Sequence, residues 1–572
     1  MSAGWSFVVA DALEKVLPEA EPRALDPRLG PSAFAGETVA FQVAFRPPAT
    51  RSLNAIGRVV AELTVDGPAT AGAFRVELVP VSLPAFPVHD DGYLRDTPGL
   101  YPDLLRPLDS GEPFVPLLAG WSSVWIEVTP HADADRDVAV TVTLRAESTG
   151  ELLFQHVQAV EVVPEPLPEL GIVHTEWLHA DALADHYGVA VFSSEHWRIL
   201  EAFLAEARGI GMNTVLTPTW TPPLDTAVGH YRTPVQLVDI EEGDGAYAFG
   251  FERLERWLEM CRRVGIRHVE LPPFFTQWGA AATPAFQVLS GGVLRRRFGW
   301  DTPADAPEYR AFLEQLVPAL RRFLDRAWGL DRVLFHVSDE PTGDNRSAYG
   351  RAREVVADLL DGCTVIDALS DVELVRSGLV DHPVVASDAV HTFADAGFPP
   401  PWVYYCVAQQ DAVSNRFIAQ PTARTRAIGA QLFAGGHPGF LHWGYTFYYD
   451  QHSRRRVDPF ADTSAGGAYP GGDAFLVYPG EGGRPWRSIR FRAIAEAMDD
   501  HRLLTLAAER FGRDAVLAVL DSEGGWPLDR WPRDPEAILR VRRTLIDALR
   551  SAAAVGANPG VALAAGAAST LG

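Results

Sequence analysis

From residue 172 onward the chain alternates eight short apolar runs with stretches of helical periodicity, and that alternation constrains the fold more than any other feature. The runs fall at 172–177, 213–217, 267–271, 332–337, 364–368, 383–386, 403–407 and 439–443. Between them, apolar residues recur at helical spacing over 195–208, 251–264, 308–328, 346–360 and 422–433. Short apolar runs of this kind suit strands covered on both faces. Eight of them with intervening helices predict a (β/α)8, or TIM, barrel.

The part before this region reads differently. Thr38-Val39-Ala40-Phe41-Gln42-Val43-Ala44-Phe45 and Asp137-Val138-Ala139-Val140-Thr141-Val142-Thr143-Leu144 alternate with period two, and Trp121-Ser122-Ser123-Val124-Trp125-Ile126-Glu127-Val128 is rich in aromatic and β-branched residues. Prolines and glycines punctuate these strands, as in an antiparallel β-sandwich. Pro164-Glu165-Pro166-Leu167-Pro168 is a stiff linker and marks a boundary. The expected organisation is a sandwich over 1–165, a catalytic barrel over 170–511, C-terminal helices over 512–551 and a flexible tail over 552–572. That tail is nearly all Ala, Gly, Val and Ser. A Gly- and Pro-rich loop, 458–485, follows the eighth run, and helices are expected near 488–511, 515–520 and 535–551.

At 572 residues the chain is too long for one hydrophobic core. Its net charge of −24 is spread along the sequence, a surface that repels phosphate backbones and argues against nucleic-acid partners. No run approaches membrane-spanning length. The N-terminus, Met1-Ser2-Ala3-Gly4-Trp5, lacks a charged segment followed by an apolar one, which points to a cytoplasmic protein; a removed leader would give the same beginning. Cys261, Cys363 and Cys406 are too few and too widely spaced for a disulfide framework or a metal site, and read as buried thiols in a reducing compartment. Aromatic residues make up 10% of the chain, which allows sugar-stacking surfaces without requiring them.

Chemistry is most visible in Ser338-Asp339-Glu340-Pro341-Thr342, directly after the fourth apolar run. Two adjacent carboxylates repel when both are ionised, so the pair can offer a proton donor beside an anion near neutral pH. Cleavage of a glycosidic bond needs that combination. The same residues also suit the first turn of the helix expected from about residue 346, where they would merely cap it. In a barrel, chemistry sits on the loops after the strands' C-terminal ends. The other strand ends supply Trp177, His179 and Asp181; the long loop containing Trp220 and Asp225, followed by Gln236 and Asp239; Gln277 and Trp278; Tyr404 and Tyr405; and His442, Trp443 and Tyr445. Neighbours on a strand point opposite ways, so at most one of Tyr404 and Tyr405 faces the interior; Tyr405 is counted among the candidates. Asp225 could equally be structural.

Other chemistries find little support. His336 near Asp339, or His437 with His442, invites a metal, but no ligand spacing accompanies either, and no metal or other cofactor is expected. Gly466-Gly467-Ala468-Tyr469-Pro470-Gly471-Gly472-Asp473 lacks the lysine and hydroxyl residue of a phosphate-binding loop, and a flexible loop is expected instead. No Gly-x-Ser-x-Gly elbow occurs.

Phe335-His336-Val337-Ser338-Asp339-Glu340-Pro341 resembles the catalytic segment of glycoside hydrolase family 123 and of the uncharacterised proteins sharing its catalytic domain. The resemblance extends through Thr217 to Thr226, Gln236-Leu237-Val238, Phe275-Thr276-Gln277-Trp278-Gly279, Leu441-His442-Trp443-Gly444, Gly472-Asp473-Ala474-Phe475-Leu476-Val477-Tyr478-Pro479 and Ser488-Ile489-Arg490. It implies an exo-acting, retaining hydrolase of terminal β-linked N-acetylgalactosamine in which the sugar's 2-acetamido oxygen attacks the anomeric carbon. Asp339 would orient that acetamide, and Glu340 would protonate the leaving oxygen and later activate water. Trp220, Asp225, Gln277, Trp278, Tyr405, His442 and Trp443 are the expected substrate-binding residues. The expected substrate is an oligosaccharide or glycoconjugate, and the oligomeric state is left open. Two other readings remain. One is a glycosidase on a sugar without the 2-acetamido group, a galactoside or pentofuranoside, with Asp225 or Asp181 as a separate nucleophile. The other is a non-catalytic carbohydrate-binding protein.

Overall fold

The structure, a computed structural model, describes residues 4–49 and 57–555. The chain divides into two compact units. One takes the described residues up to Gly171 together with Asp411–Ala434 and those from Trp486 onward; the other takes Ile172–Gln410 and Gly435–Pro485.

The first unit begins with two sheets around one core. In one sheet Ser6–Asp11, Val39–Arg46, Ser122–Pro130, Ala69–Val81 and Gly99–Leu108 lie side by side and antiparallel. A late strand joins its edge, with Arg487 and Ser488 paired to Leu105 and Leu104. The other sheet orders Ser32–Phe34, Leu152–Val163, Val138–Ala146, Val59–Asp66 and Pro113–Phe114, antiparallel except where Leu152–Val163 meets Ser32–Phe34. The period-two pattern decides which faces meet. Phe41, Val43 and Phe45 from the first sheet and Val140, Val142 and Leu144 from the second enter the same core.

The expected domain boundaries and the observed units differ at two segments. Helices Thr422–Arg426 and Ile489–Phe511, both inside the expected barrel domain, fall in the first unit. Apolar packing and buried charge hold them there. Ala423, Ala430 and Phe433 share a core with Leu503, Leu504 and helix Glu536–Val555. Arg426 forks onto Asp500 at 2.7 and 3.0 Å and also pairs with Glu496. Gly429 permits the close approach: a Cβ there would lie 1.7 Å from the Ala497 carbonyl oxygen. Glu536–Val555 runs into the expected tail, and residues 556–572 lie outside the described residues.

The second unit is built on a closed barrel of eight parallel strands: Val173–Glu176, Thr214–Leu216, His268–Glu270, Val333–Phe335, Thr364–Leu369, His382–Ala386, Trp402–Tyr404 and Gly439–His442. These are the eight runs expected from the sequence. Leu216, Leu334, Ile366, Ala368, Val384, Ala386 and Leu441 pack together within it.

One element was not expected, a four-stranded sheet made of two hairpins, Asp239–Gly243 with Ala246–Gly250 and Phe286–Ser290 with Val293–Arg297. Its turns are Asp244-Gly245 and Gly291-Gly292, with all four residues at positive φ (51°, 78°, 58° and 77°). Those are the two-residue hairpin turns that such dipeptides favour.

Candidate active site

The barrel's strand ends converge on one cleft of about 610 Å³, counted to its open mouth. Its acids are Asp339, Glu340 and Asp225. Trp177, Trp278, Trp443, Tyr404 and Tyr469 form much of its wall, with Leu224, Ala368, Val407 and Leu441 between them.

Asp339 and Glu340 follow the fourth strand and both line the cleft. The helix-cap alternative fails, because the turn Gly343–Asn345 is capped by Thr342 and Asn345, whose side-chain oxygen accepts from the Thr342 amide at 2.8 Å. Burial raises the Asp339 carboxyl well above the usual range, and the neighbouring Glu340 charge raises it further. Among the described residues that carboxyl accepts no hydrogen bond. Glu340 is raised by burial too, opposed by the Tyr404 hydroxyl, which donates to Oε1 at 2.9 Å. The Cys406 thiol lies 4.0 Å from the same oxygen.

Asp225, on the loop after the second strand, accepts from the Tyr469 hydroxyl at 3.0 Å and from the His452 amide at 3.3 Å. Burial raises its carboxyl, while Tyr469 and His452 act against the rise. The Asp225 amide donates to Gln277 Oε1, leaving Gln277 Nε2 buried at the cleft wall without a partner among the described residues. The backbone is left-handed at Asp225 (φ 39°), Trp278 (φ 57°) and Glu340 (φ 46°). Such conformations cost roughly 1–3 kcal/mol each in non-glycine residues and gather where a side chain has to be aimed.

Three buried side chains stand in a row next to these groups: Glu270 on the third strand, His336 just past the fourth and Asp367 on the fifth. His336 approaches Glu270 through Nε2 at 2.8 Å and Asp367 through Nδ1 at 3.3 Å. Burial alone would lower the imidazole, but the two carboxylates reverse that and hold it at about 10. Burial pushes the Asp367 carboxyl up, against the pull of His336 and Tyr349. Glu270 also accepts from the Trp177 indole at 2.7 Å and the Thr175 hydroxyl at 2.6 Å.

Several expected binding residues stand elsewhere. Trp220 is buried, donates to the Pro273 carbonyl at 3.1 Å and packs on Phe274 and Phe286, outside the cleft. Tyr405 packs against Phe440 and His442, because strand alternation gives the cleft position to Tyr404. His442 is wholly buried, with Nε2 3.6 Å from Asp473 behind Trp443. Asp181 does not line the cleft; it forks onto the buried Arg232 at 2.6 and 2.7 Å. Asp225, Gln277, Trp278 and Trp443 do line it. In the glycine-rich segment expected to be a flexible loop, Gly466 and Gly467 are exposed but the chain is buried from Tyr469 to Asp473, and Tyr469 is a cleft residue that sequence reading missed. Gly444 allows that packing, since a Cβ there would meet the Asp473 carbonyl oxygen at 2.5 Å. No group of three potential metal ligands occurs among the described residues.

A family model described as glycoside hydrolase 123, catalytic domain, matches residues 177–507. The chain belongs to glycoside hydrolase family 123. It is a glycoside hydrolase, acting on glycan substrates. A family 123 glycoside hydrolase from Clostridium perfringens, whose structure was studied for glycolipid glycan hydrolysis, is 13% identical, with a TM-score of 0.69 over 96% of this chain and 99% of that one. That likeness is one of fold. A Bacteroides uniformis β-glucuronidase gives a TM-score of 0.30 at 13% identity over 83% of this chain and 49% of that chain. One from Ruminococcus gnavus gives 0.31 at 8% identity over 87% and 98%. No curated protein sequence matches. No helix among the described residues is long and apolar enough to cross a membrane.

Proposed function

We propose that this family 123 member is an exo-acting, retaining β-N-acetylgalactosaminidase that uses its substrate's acetamide as the nucleophile. The observation carrying this reading is that Asp339 and Glu340, adjacent in the chain, open onto one aromatic-walled cleft. The barrel, read as a (β/α)8 frame, presents both acids from a single strand end. An Asp-Glu pair from one strand end suits substrate assistance, because no protein carboxylate is then required on the opposite ring face. Asp339, whose carboxyl is not engaged by another described side chain, accepts the acetamide N–H and aims its oxygen at the anomeric carbon. The C–O bond to the leaving group breaks as Glu340 delivers its proton, and a cyclic oxazolinium forms. Glu340 then takes a proton from the water that opens this ring, restoring the acid and releasing the sugar with retained configuration. Burial raises both members of the pair, and in this reading Glu340 carries the proton needed at the start. Trp177, Trp278 and Trp443 offer faces for the sugar ring, and Gln277 Nε2 a donor for a hydroxyl.

A second reading is favoured by one observation, the presence of Asp225 in the same cleft. On a sugar without the acetamide, Asp225 would be the nucleophile and Glu340 the acid. A panel of aryl β-N-acetylgalactosaminide, β-N-acetylglucosaminide, galactoside and pentofuranoside substrates separates the two. The first reading expects turnover of the N-acetylgalactosaminide and tight inhibition by its thiazoline, a mimic of the cyclic intermediate. Efficient cleavage of a 2-hydroxy glycoside with indifference to the thiazoline overturns it.

A further inference from the structure

Trp177 and the Asp339-Glu340 segment belong to different strands, yet both are tied to one buried side chain. On one side of His336, Nε2 meets Glu270 at 2.8 Å, and Glu270 accepts from the Trp177 indole at 2.7 Å. On the other, Nδ1 meets Asp367 at 3.3 Å. Asp367 accepts from the amides of Val337 and Ser338, at 3.1 and 3.3 Å, immediately before the catalytic pair. The remaining partners of both carboxylates are also donors: the Thr175 hydroxyl at 2.6 Å on Glu270 and the Tyr349 hydroxyl at 2.5 Å on Asp367. Both carboxylates are therefore filled as anions. A neutral imidazole would turn a lone pair towards one of them, whereas an imidazolium donates to both.

We propose that His336 is a positioning residue, a permanently protonated strut that fixes the cleft floor through Glu270–Trp177, fixes the catalytic segment through Asp367, and keeps a positive charge beneath Asp339. This rests on the assignment of Asp339 and Glu340 given above. Its electrostatic half follows from the surroundings of Asp339. Glu340 on its own segment, Glu270 and Asp367 from the third and fifth strands, and Tyr404 and Cys406 from the seventh are all acidic groups. His336 is the cation among them, and it draws the Asp339 carboxyl back towards the anion that must accept the acetamide N–H. Its raised basicity, about 10, keeps that charge in place across the neutral range.

The test compares the full-length enzyme with His336→Gln, which leaves a single donor group, and with Tyr349→Phe, a milder change on the Asp367 side. Asp339→Asn runs alongside. In ¹⁵N-histidine spectra at pH 8.5 the parent enzyme should show one doubly protonated imidazole that is absent from His336→Gln. In the kcat/KM profile, His336→Gln should move the acidic limb up by about one pH unit, the size of effect one nearby charge produces. Tyr349→Phe should leave that limb in place while lowering kcat a few-fold. A parent spectrum without that imidazolium, or a folded His336→Gln enzyme with an unmoved acidic limb, overturns the proposal. If His336→Gln does not fold, the parent spectrum still decides. Should Asp339→Asn retain full activity, the assignment of the pair fails instead, an outcome distinct from failure of the strut.

Discussion

Two groups of acids in this protein are built on opposite plans. In the first unit each buried acid of the cluster faces an arginine: Arg426 holds Asp500 and Glu496, and Arg542 holds Glu37 at 2.6 and 2.7 Å and Asp500 at 3.1 Å. At the barrel's strand ends Asp339 and Glu340 are half-buried where they open onto the cleft, and among the described residues neither forms an ion pair with an arginine or lysine. Burial raises Glu37 and Glu496 too, but their arginines oppose the rise, and a carboxylate so paired is structural. Leaving it unpaired raises its pKa and keeps it available to a proton or a ligand, at a cost to stability that the rest of the fold has to offset.

The largest effect that could break this comparison is catalytic. Asp339→Asn should lower kcat by about a thousandfold on every leaving group, comparable to removing a preorganised stabilising group elsewhere. Glu340→Gln should cost about as much on poor leaving groups but far less on activated aryl glycosides, which need little protonation. Equal losses on both substrate types would mean that Glu340 does more than deliver a proton. Stability should follow the reverse order. Arg542→Met strands Glu37 and should destabilise the first unit by about 3–5 kcal/mol, read from denaturant melts. Asp339→Asn should leave the melting temperature unchanged or raise it, since it removes one of two crowded acids. A clear loss of stability in Asp339→Asn would put that residue with the structural acids.

A third, smaller effect concerns pH. Asp339 and Glu340 have folded-state pKa values above their unfolded ones, so the folded protein holds protons that the unfolded chain has already released. Their stabilising contribution is complete below the ordinary carboxylate range and is lost as pH rises through the raised values. The double variant Asp339→Asn/Glu340→Gln should therefore lose less stability than the parent between about pH 4.5 and neutrality. Parallel stability–pH curves would show that the pair is less perturbed than its burial requires.

How much of this could be read from the sequence depended on whether a short-range signal existed. The eight strands carry their own apolar runs, and Asp339-Glu340-Pro341 breaks the fourth run in a way that stands out locally. Gln277, Trp278 and Trp443 followed from their places at strand ends. The misses have physical reasons. Trp220 sits at a strand end too, but an indole can be consumed by a carbonyl and two phenyl rings that only tertiary contact brings near it. Tyr469 lies in a run of glycines, where local sequence reads as freedom; the packing beneath Gly444 decides otherwise. Glu270, His336 and Asp367 come from three strands, and no linear spacing announces that their side chains form one row. The hairpin turns Asp244-Gly245 and Gly291-Gly292 do carry a short-range signal, two residues of the type that such turns favour.

The smallest expected effect tests the same contrast within two adjacent residues. Tyr404 and Tyr405 are both buried, and they differ in which face of the barrel they serve. The Tyr404 hydroxyl donates to Glu340 at 2.9 Å and holds that carboxyl down against the effect of burial. Tyr404→Phe should therefore let the Glu340 pKa rise, and the basic limb of kcat/KM should move up because the protonated acid persists to higher pH. The lost aim of the carboxyl should lower kcat by about tenfold, the equivalent of roughly one hydrogen bond to a charged group. Tyr405 packs on Phe440 and His442 on the other side of the strand, so Tyr405→Phe should leave both limbs in place and change kcat/KM by less than about twofold. Matching pH profiles for the two variants would mean that the Tyr404 hydroxyl does not set the protonation of Glu340, and the acid's tuning would then rest on burial alone.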